Sequence, residues 1–503
     1  MKLDTGTELP EKFVLTKEFK DTFDLINQTD TNLFITGKAG SGKSTLLEYF
    51  RQNTNKNFAT LAFQGITAIK AKGQTIHSFF KLGPHFLSKD DVKELRDKQV
   101  IQNLDTILID EISMVRADLF DAIDLSLKKN RKNDKPFGGV QMVLFGDVMQ
   151  IDPIVGSDDE VMEKFYPNGP FFFNSKSYSK KDFKQIELTK IFRQSDKKFV
   201  NLLNKIRMNK LQNEDLSILN NQLINREEVP KDTIILAPTN RKVDDINNTN
   251  LYKLTTPTFN YNAIVKGSWK DKEHPVKKEI VLKVGAQVMI TKNDTDEPKR
   301  WVNGTLGIIT FLSKDQIKIK IKDKIFSLGK TKWDKYNYKF SGNKVNAFSV
   351  GSFIQFPLKL AWATTIHKSQ GQTFDNVSID LDTGSFAHGQ TYVALSRAKS
   401  LEGISLLKKI QKKDIIFDAR VLEFIGQKLE SKYISEILKN APKSKKKIMP
   451  KSSKSNSNEW TTSDDNKLLA LYKRNVPEFA LAKILKKSIT QIRERIMYLM
   501  KNN

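Results

Sequence analysis

The run Gly37-Lys-Ala-Gly-Ser-Gly-Lys-Ser44 constrains the fold more than any other feature of this chain. It fits G-x-x-x-x-G-K-[ST] at every fixed position. Leu33–Thr36 before it reads as a short buried strand, and Ser44–Arg51 after it as a helix. A strand, a glycine-rich turn and a helix in that order make a cradle. Its backbone N–H groups and the helix N-terminus attract phosphate. Gly37, Gly40, Gly42, Lys43, Ser44 and Thr45 are the candidate nucleotide contacts. Lys43 is placed to reach the β and γ phosphates, and the Ser44 hydroxyl to hold Mg²⁺. Without a ligand the same residues are a plain strand-to-helix turn. The loop points to a nucleotide and leaves open what its energy drives.

Such a loop needs a carboxylate at the end of a neighbouring strand. Thr106-Ile-Leu-Ile-Asp110-Glu111 supplies two. Asp110 is the candidate to orient Mg²⁺, and Glu111 to polarise an attacking water as general base. A third segment, Gly138 to Pro153, runs as a strand into Gly146-Asp147 with Gln150 just beyond. A neutral amide there can sense a γ-phosphate, although the segment alone is an ordinary strand and turn. Charge on a transferring phosphoryl group also calls for cations from outside the loop. Arg193 and Arg397, each in an apolar setting, are the candidates among many basic residues.

Lys and Arg number 84 against 58 Asp and Glu, a net charge of +26. That excess fits a polyanion partner, nucleic acid first, or a lysine-rich soluble surface. There is no cysteine, which excludes disulfides and Cys-ligated metal centres and fits a reducing, cytoplasmic setting. No apolar run approaches the ~18 residues of a membrane span, and the start lacks a signal-peptide core.

Residues 1 to about 230 alternate β-rich runs such as Thr106–Ile109 and Met142–Phe145 with helical stretches, predicting an α/β fold with a mostly parallel sheet. Between Leu82 and Gln102 the chain turns polar and helical, which reads as a small insertion. A second α/β pattern begins near Ile234–Leu236 and resumes after Gln355. Between them Val281–Ile290, Gly307–Phe311 and Gln316–Ile321 read as strands, with a turn at Asn303-Gly304, predicting a small β-barrel insert. Residues 441–459, with six lysines and five serines, read as a flexible basic linker. From Trp460 helical periodicity returns, and Ile489, Ile492, Ile496 and Leu499 share one face.

Taken together the segments resemble the superfamily 1 helicases, and the Pif1-like DNA helicases most closely. The series is GKAGSGKS, GQTIHSFF at 73–80, DEISM at 110–114, GGVQMVLFGDVMQIDP at 138–153 and FRQ at 192–194. It continues with APTN at 237–240, LKVGAQVMITKND at 282–294, WVNGTLG at 301–307, ATTIHKSQGQTF at 363–374 and YVALSRAKS at 392–400. The resemblance runs from about residue 10 to 435. It implies two RecA-like P-loop domains, 1A over 1–195 with a 1B wedge near 82–102, and 2A over 196–440 with an SH3-like β-barrel 2B near 295–355. It implies ATP and Mg²⁺ between them. Lys43, Asp110, Glu111 and Gln150 then face Arg193 and Arg397, and Gly371 joins the nucleotide contacts. Single-stranded DNA crosses both domains, touching Phe63, Thr67, Thr75, His77, Asn240, His367 and Lys368. On the residues alone His77 and His367 read more readily as buried, hydrogen-bonded histidines than as strand contacts. The resemblance further implies a monomeric motor moving 5′→3′ and unwinding duplex DNA in replication, repair or recombination, with other proteins of those processes as possible partners.

Three positions depart from the family pattern. Phe19 stands where a Gln often reads adenine, Ala62-Phe63-Gln64-Gly65 replaces Ala-Pro-Thr-Gly, and Asp152-Pro153 replaces a Pro-Pro pair. Residues 460–503 resemble Myb-like or helix-turn-helix modules, which makes Lys487 and Arg493 candidate duplex contacts. The competing readings are a helicase of RNA or RNA–DNA hybrids, and a DNA-binding regulator switched by ATP.

Overall fold

In the computed structural model the described residues are 13–425, apart from 156–158, 180–181, 195, 232, 268, 270–273, 295, 297–299 and 383, together with isolated helical positions between 464 and 499. Residues 1–431 form one unit and 432–503 a second.

The first stretch of unit one runs α1 (Lys17–Gln28), β1 (Asn32–Gly37), α2 (Lys43–Asn53), β2 (Phe58–Ala62), α3 (Gly65–Lys70), β3 (Gln74–Thr75), α4 (Ile76–Phe80), α5 (Gln99–Gln102), β4 (Thr106–Asp110), α6 (Ala117–Arg131), β5 (Gln141–Phe145), α7 (Asp159–Phe165) and β6 (Phe183–Leu188). Its six strands form a parallel sheet in the order β3-β2-β4-β5-β1-β6. Side chains alternate across a strand, and here both faces are covered. Phe34, Ile107, Ile109, Met142 and Leu144 enter the core on one face. Leu33, Ile35, Leu108, Val143 and Phe145 enter a separate core on the other. The continuous apolar runs in the sequence are this two-sided burial.

The helix predicted between Leu82 and Gln102 reduces to a single 3₁₀ turn at Lys89–Asp91 and the four-residue α5. Side chains of α6 and of the turn take the backbone donors a helix would have used. Leu87 N–H donates to Asp118 (2.9 Å) and Leu95 N–H to Asn130 (2.8 Å), while Ser88 N–H donates to Asp91 (2.9 Å).

The chain continues through α8 (Lys197–Arg207), α9 (Asn213–Asn220), β7 (Ile234–Ala237) and α10 (Asn240–Lys253) into an insert of ten strands. These are β8 (Thr258–Asn262), β9 (Ile264–Gly267), β10 (Glu279–Lys283), β11 (Gln287–Ile290), β12 (Leu306–Leu312), β13 (Ile317–Ile321), β14 (Lys324–Leu328), β15 (Thr331–Ser341), β16 (Lys344–Gln355) and β17 (Leu358–Leu360). It closes with β18 (Ala363–Thr365), β19 (Val377–Ile379), α11 (Gln390–Leu395), β20 (Ile404–Leu406) and α12 (Ala419–Phe424). A second parallel sheet, β18-β7-β19-β20, makes the other α/β core. The two parallel-sheet cores are RecA-like.

The insert holds three small antiparallel sheets around one core that includes Tyr261, Trp301, Trp333, Phe353 and Phe356. Its strands extend over 258–360, so the predicted stretch 295–355 covers only the later part. Thr258–Asn262 was hard to read because most of β8 lies exposed. Val281–Ile290, predicted as one strand, divides into β10 and β11 at Gly285, whose φ is +91°. Gly304 turns at φ +98° as the Asn-Gly pair implies.

Two segments reach back to the first sheet. In the β15–β16 hairpin the Tyr338 hydroxyl accepts from Thr60 N–H (2.8 Å) and donates to Thr60 C=O (3.3 Å). Asn57 accepts from Val345 N–H (3.2 Å) and donates to Asn343 C=O (3.3 Å). Helix α12 buries Val421 and Leu422 in the first core, and Phe424 stacks on Phe173 at 4.0 Å.

In residues 432–503, Leu468, Leu481 and Leu485 are buried, and Arg495 makes a two-pronged pair with Asp465 (2.8 and 2.7 Å). Lys487 and Arg493, and most of the helical module predicted there, lie outside the described residues.

Candidate nucleotide cleft and strand groove

The Gly37–Ser44 loop lies between β1 and α2, as its sequence requires. Gly40 and Gly42 have φ of +82° and +87°, a region that favours glycine. Space matters as much. A Cβ on Gly40 would come within 2.4 Å of Arg193 Cβ, and one on Gly42 within 2.7 Å of the Phe19 ring. Phe19 is thus fully buried beneath the loop, and Phe192 N–H donates to Gly40 C=O (2.8 Å) above it. The Lys43 ammonium donates to Gly37 C=O (2.7 Å) and Lys38 C=O (3.3 Å), so it points back into the cradle. Ser44 and Thr45 open the first turn of α2, with Ser44 exposed.

Asp110 ends β4, and Glu111 follows in the left-handed region (φ +52°), with its N–H on the Asp110 carboxylate (3.0 Å). A non-glycine residue held there stores strain that active sites often use. Burial raises the pKa of both carboxyls. The charge of Glu111 adds to the effect at Asp110, whereas Lys43 and then Arg397 oppose it at Glu111. Burial likewise lowers Lys43, opposed by Asp147 and Glu111. Raised carboxyls and a lowered lysine gathered in one buried cleft mark a candidate functional site.

Gln150 is buried, and its amide oxygen accepts from Gln370 (3.2 Å), which comes from the second α/β core. Arg397 is almost fully buried. It donates to the carbonyls of Val393 (2.9 Å), Ser369 (3.3 Å) and Gln372 (3.2 Å) and to the Ser396 hydroxyl (2.8 Å). Burial, then the charge of Arg193, pushes its pKa down to about 9. Arg193 donates to Ser396 C=O (3.4 Å), and burial lowers it as well. Gly371, at φ +72°, sits exposed in the loop that Ser369 and Gln372 fix on Arg397. One cleft therefore gathers Lys43, Asp110, Glu111 and Gln150 from one core with Arg397 and Gln370 of the other, and Arg193 bridges them, packed on Gly40 and donating to Ser396.

Three further residues of the cleft were given no role by the sequence, although Asp147 and Tyr392 lie within two of the motifs. Asp147, fully buried, pairs with Arg207 of α8 at 3.0 Å. Burial raises its pKa, but Arg207 and Lys43 overcome this and hold the carboxyl below its ordinary value. Tyr392 on α11 accepts from Ala39 N–H in the phosphate loop (3.3 Å). Arg207 lies in Leu202-Leu-Asn-Lys-Ile-Arg207, where it reads as one more surface cation, and only the tertiary fold brings it to Asp147.

The predicted strand contacts lie on two surfaces. Phe63 and His77 meet edge to face (5.6 Å) beside α3, and both are partly exposed. Thr67 is partly exposed on α3. Thr75 caps α4 by accepting from Ser78 N–H (3.2 Å), a structural role. In the second core Lys368 donates to Asn240 (3.1 Å), both exposed. Burial lowers the pKa of the adjacent, partly exposed His367. Asp152, the departure after Gln150, is pushed up to about 8 by burial and by the charge of Asp418.

Among known proteins, residues 14–217 match the PIF1-like helicase family and residues 360–401 the UvrD-like helicase C-terminal domain. The chain is 31% identical over 424 residues to the ATP-dependent DNA helicase Pif1 of Bdellovibrio bacteriovorus, covering 82% of this chain and 92% of that protein. It is 32% identical over 429 residues to the ATP-dependent DNA helicase PIF1 of Danio rerio, covering 79% of this chain but only 64% of the relative's length. The structure of unliganded Pif1 from Bacteroides sp superposes with a TM-score of 0.75 at 35% identity, over 86% of this chain and 98% of that one. Bacteroides Pif1 in complex with ADP-AlF3 and ssDNA superposes with a TM-score of 0.61 at 36% identity, over 84% and 98%.

Proposed function

The chain belongs to the PIF1-like helicase family, and from that membership and the cleft we propose that it is an ATP-dependent DNA helicase. It binds single-stranded DNA, moves 5′→3′ and unwinds duplex DNA as a single chain in replication, repair or recombination. The observation that carries this reading is the cleft itself. Phosphate-loop and carboxylate residues of one RecA-like core, with Arg193 packed on the loop at Gly40, face Arg397 and Gln370 of the other. Hydrolysis that alters charge between two bodies can move one against the other.

The residues fit ATP and Mg²⁺. Gly40 and Gly42 let the loop lie against Arg193 and Phe19, where a Cβ would collide, and the Ser41 hydroxyl is buried in the loop without a partner. Ser44 and Asp110 offer the hard oxygen donors that Mg²⁺ prefers. A Mg²⁺ ion held by them would supply charge neutralisation at the phosphates. Lys43 turns from the loop carbonyls to the phosphates, and Gly37, Gly40, Gly42 and Thr45 line them. Glu111 takes the proton of the attacking water, Gln150 senses the γ-phosphate, and Arg193 and Arg397 stabilise its charge, with Gly371 shaping the loop that holds Arg397. Arginines in that role are worth ~10³–10⁵ in rate. Phe63, Thr67, Thr75, His77, Asn240, His367 and Lys368 line the strand groove, and base stacking on aromatic faces contributes roughly 1–3 kcal/mol each. Residues 1–195 and 196–440 act as the two motor domains, 441–459 as a linker, and 460–503 as a duplex-binding module through Lys487 and Arg493.

Lys43→Ala tests the cleft. ATP hydrolysis stimulated by single-stranded DNA should fall to background while strand binding persists. Hydrolysis at the parental rate would overturn the assignment.

A further inference from the structure

The turn that carries Gln150 is gripped from the second core at three points. Asp147, Met149 and Gln150 follow β5 of the first core. Arg207, which belongs to none of the sequence motifs, ends α8, whose Phe199, Leu202, Leu203 and Ile206 pack in the second core. Its Nη2 donates to Asp147 Oδ1 at 3.0 Å, with both side chains buried. Gly389 presses on the same turn, since a Cβ there would come within 2.5 Å of the Met149 and Gln150 carbonyl oxygens. Gln370 completes the set by donating to Gln150 Oε1 at 3.2 Å.

Asp147 passes the Arg207 contact on. Its Oδ1 also accepts Met149 N–H (3.1 Å), and its Oδ2 accepts from Gln150 Nε2 (3.4 Å). Its carbonyl takes Gln150 N–H at 3.0 Å. An ionised carboxylate only accepts hydrogen bonds. It therefore turns the NH₂ end of the Gln150 amide toward itself and leaves the amide oxygen facing Gln370. Stability does not explain Arg207. A buried ion pair is often no more stable than an apolar pair of similar volume. Arg207 Nε, moreover, is buried with no partner among the described residues. An incompletely satisfied buried arginine is a cost, and it calls for a role other than holding the fold together.

We propose that Arg207 is a positioning residue for hydrolysis: held on Asp147 from the opposite core, it fixes the Gln150 amide in the orientation that senses the γ-phosphate. This rests on the role given to Gln150 above and deepens it. Arg207 and Gln370 come from one core, Asp147 and Gln150 from the other. A shift between the cores loosens both ends of the amide together, so the sensor is set only while the cleft is closed.

Arg207→Met alone strands a buried carboxylate and can unfold the chain. The test therefore combines Arg207→Met with Asp147→Asn, which removes both charges, and sets this paired variant beside Gln150→Ala and the triple variant. ATP hydrolysis by the full chain is measured with saturating oligodeoxythymidine, at a temperature where every variant is folded. The paired variant should lose kcat by about tenfold or more, the scale of losing a partner that orients a working group, while KM for ATP stays near the parental value. The triple variant should be no slower than Gln150→Ala, because Arg207 and Asp147 act through that amide. Arg207→Lys, which keeps a cation beside Asp147, should lose less than the paired variant. Parental kcat in the paired variant, or losses that multiply in the triple variant, would overturn the positioning role. Gln150→Ala hydrolysing at the parental rate would overturn instead the sensor reading beneath it.

Discussion

At the scale of single residues, the cleft is a set of buried charges whose balance depends on partners from both cores. Glu111 is set against Lys43 and Arg397, and Asp147 against Arg207 and Lys43. His388 is a different case. It is buried beside Phe417 and accepts Asp418 N–H at Nδ1 (2.9 Å). Burial pushes its pKa from 6.5 down to about 4, despite the nearby Asp418. Between those values the unfolded chain binds a proton that the folded chain refuses. Acidification therefore costs stability, starting below about 6.5 and ending near 4. Asp152, raised to about 8, acts in the opposite sense, so the readout is a difference between proteins. His388→Gln keeps an acceptor for Asp418 N–H and removes the titration. Its melting temperature relative to the parent should rise as pH falls from 7 to 5, and parallel pH profiles would contradict this. The motif residues were legible in the sequence because glycine-rich loops and strand-end carboxylates carry local patterns. Arg207 was not, since it acquires its setting beside Asp147 only from distant chain.

At the scale of elements, the parallel sheets were legible as apolar runs such as Leu33–Thr36 and Thr106–Ile109, because both faces of those strands are buried. The insert was legible in part. β12 and β13 alternate clearly, whereas β8 is mostly exposed and carries no such pattern. The segment 82–102 was misread as helical because its polar residues satisfy the backbone locally and through α6, a choice composition does not reveal. Helix α12 shows the reverse: it follows the second core in sequence yet completes the first core in space. Phe424→Ala in the full chain should lower stability by about 3 kcal/mol, the usual cost of removing a buried phenylalanine. A Phe424→Ala protein as stable as the parent would show that α12 is not part of that core.

At the scale of the whole molecule, two RecA-like cores share one cleft, a β-insert rests on the first core through Tyr338, and a net charge of +26 surrounds them. These features, with membership of the PIF1-like family, make a motor on nucleic acid the reading that uses every part of the cleft. The measurement that tests it most directly is ATP-dependent strand displacement on matched DNA duplexes carrying either a 5′ or a 3′ single-stranded tail, with Lys43→Ala as control. The account predicts displacement of the 5′-tailed duplex by the parent, none of the 3′-tailed duplex, and none of either by Lys43→Ala. Intact DNA binding with no displacement of either duplex would contradict it and favour an ATP-switched binding protein or an RNA substrate.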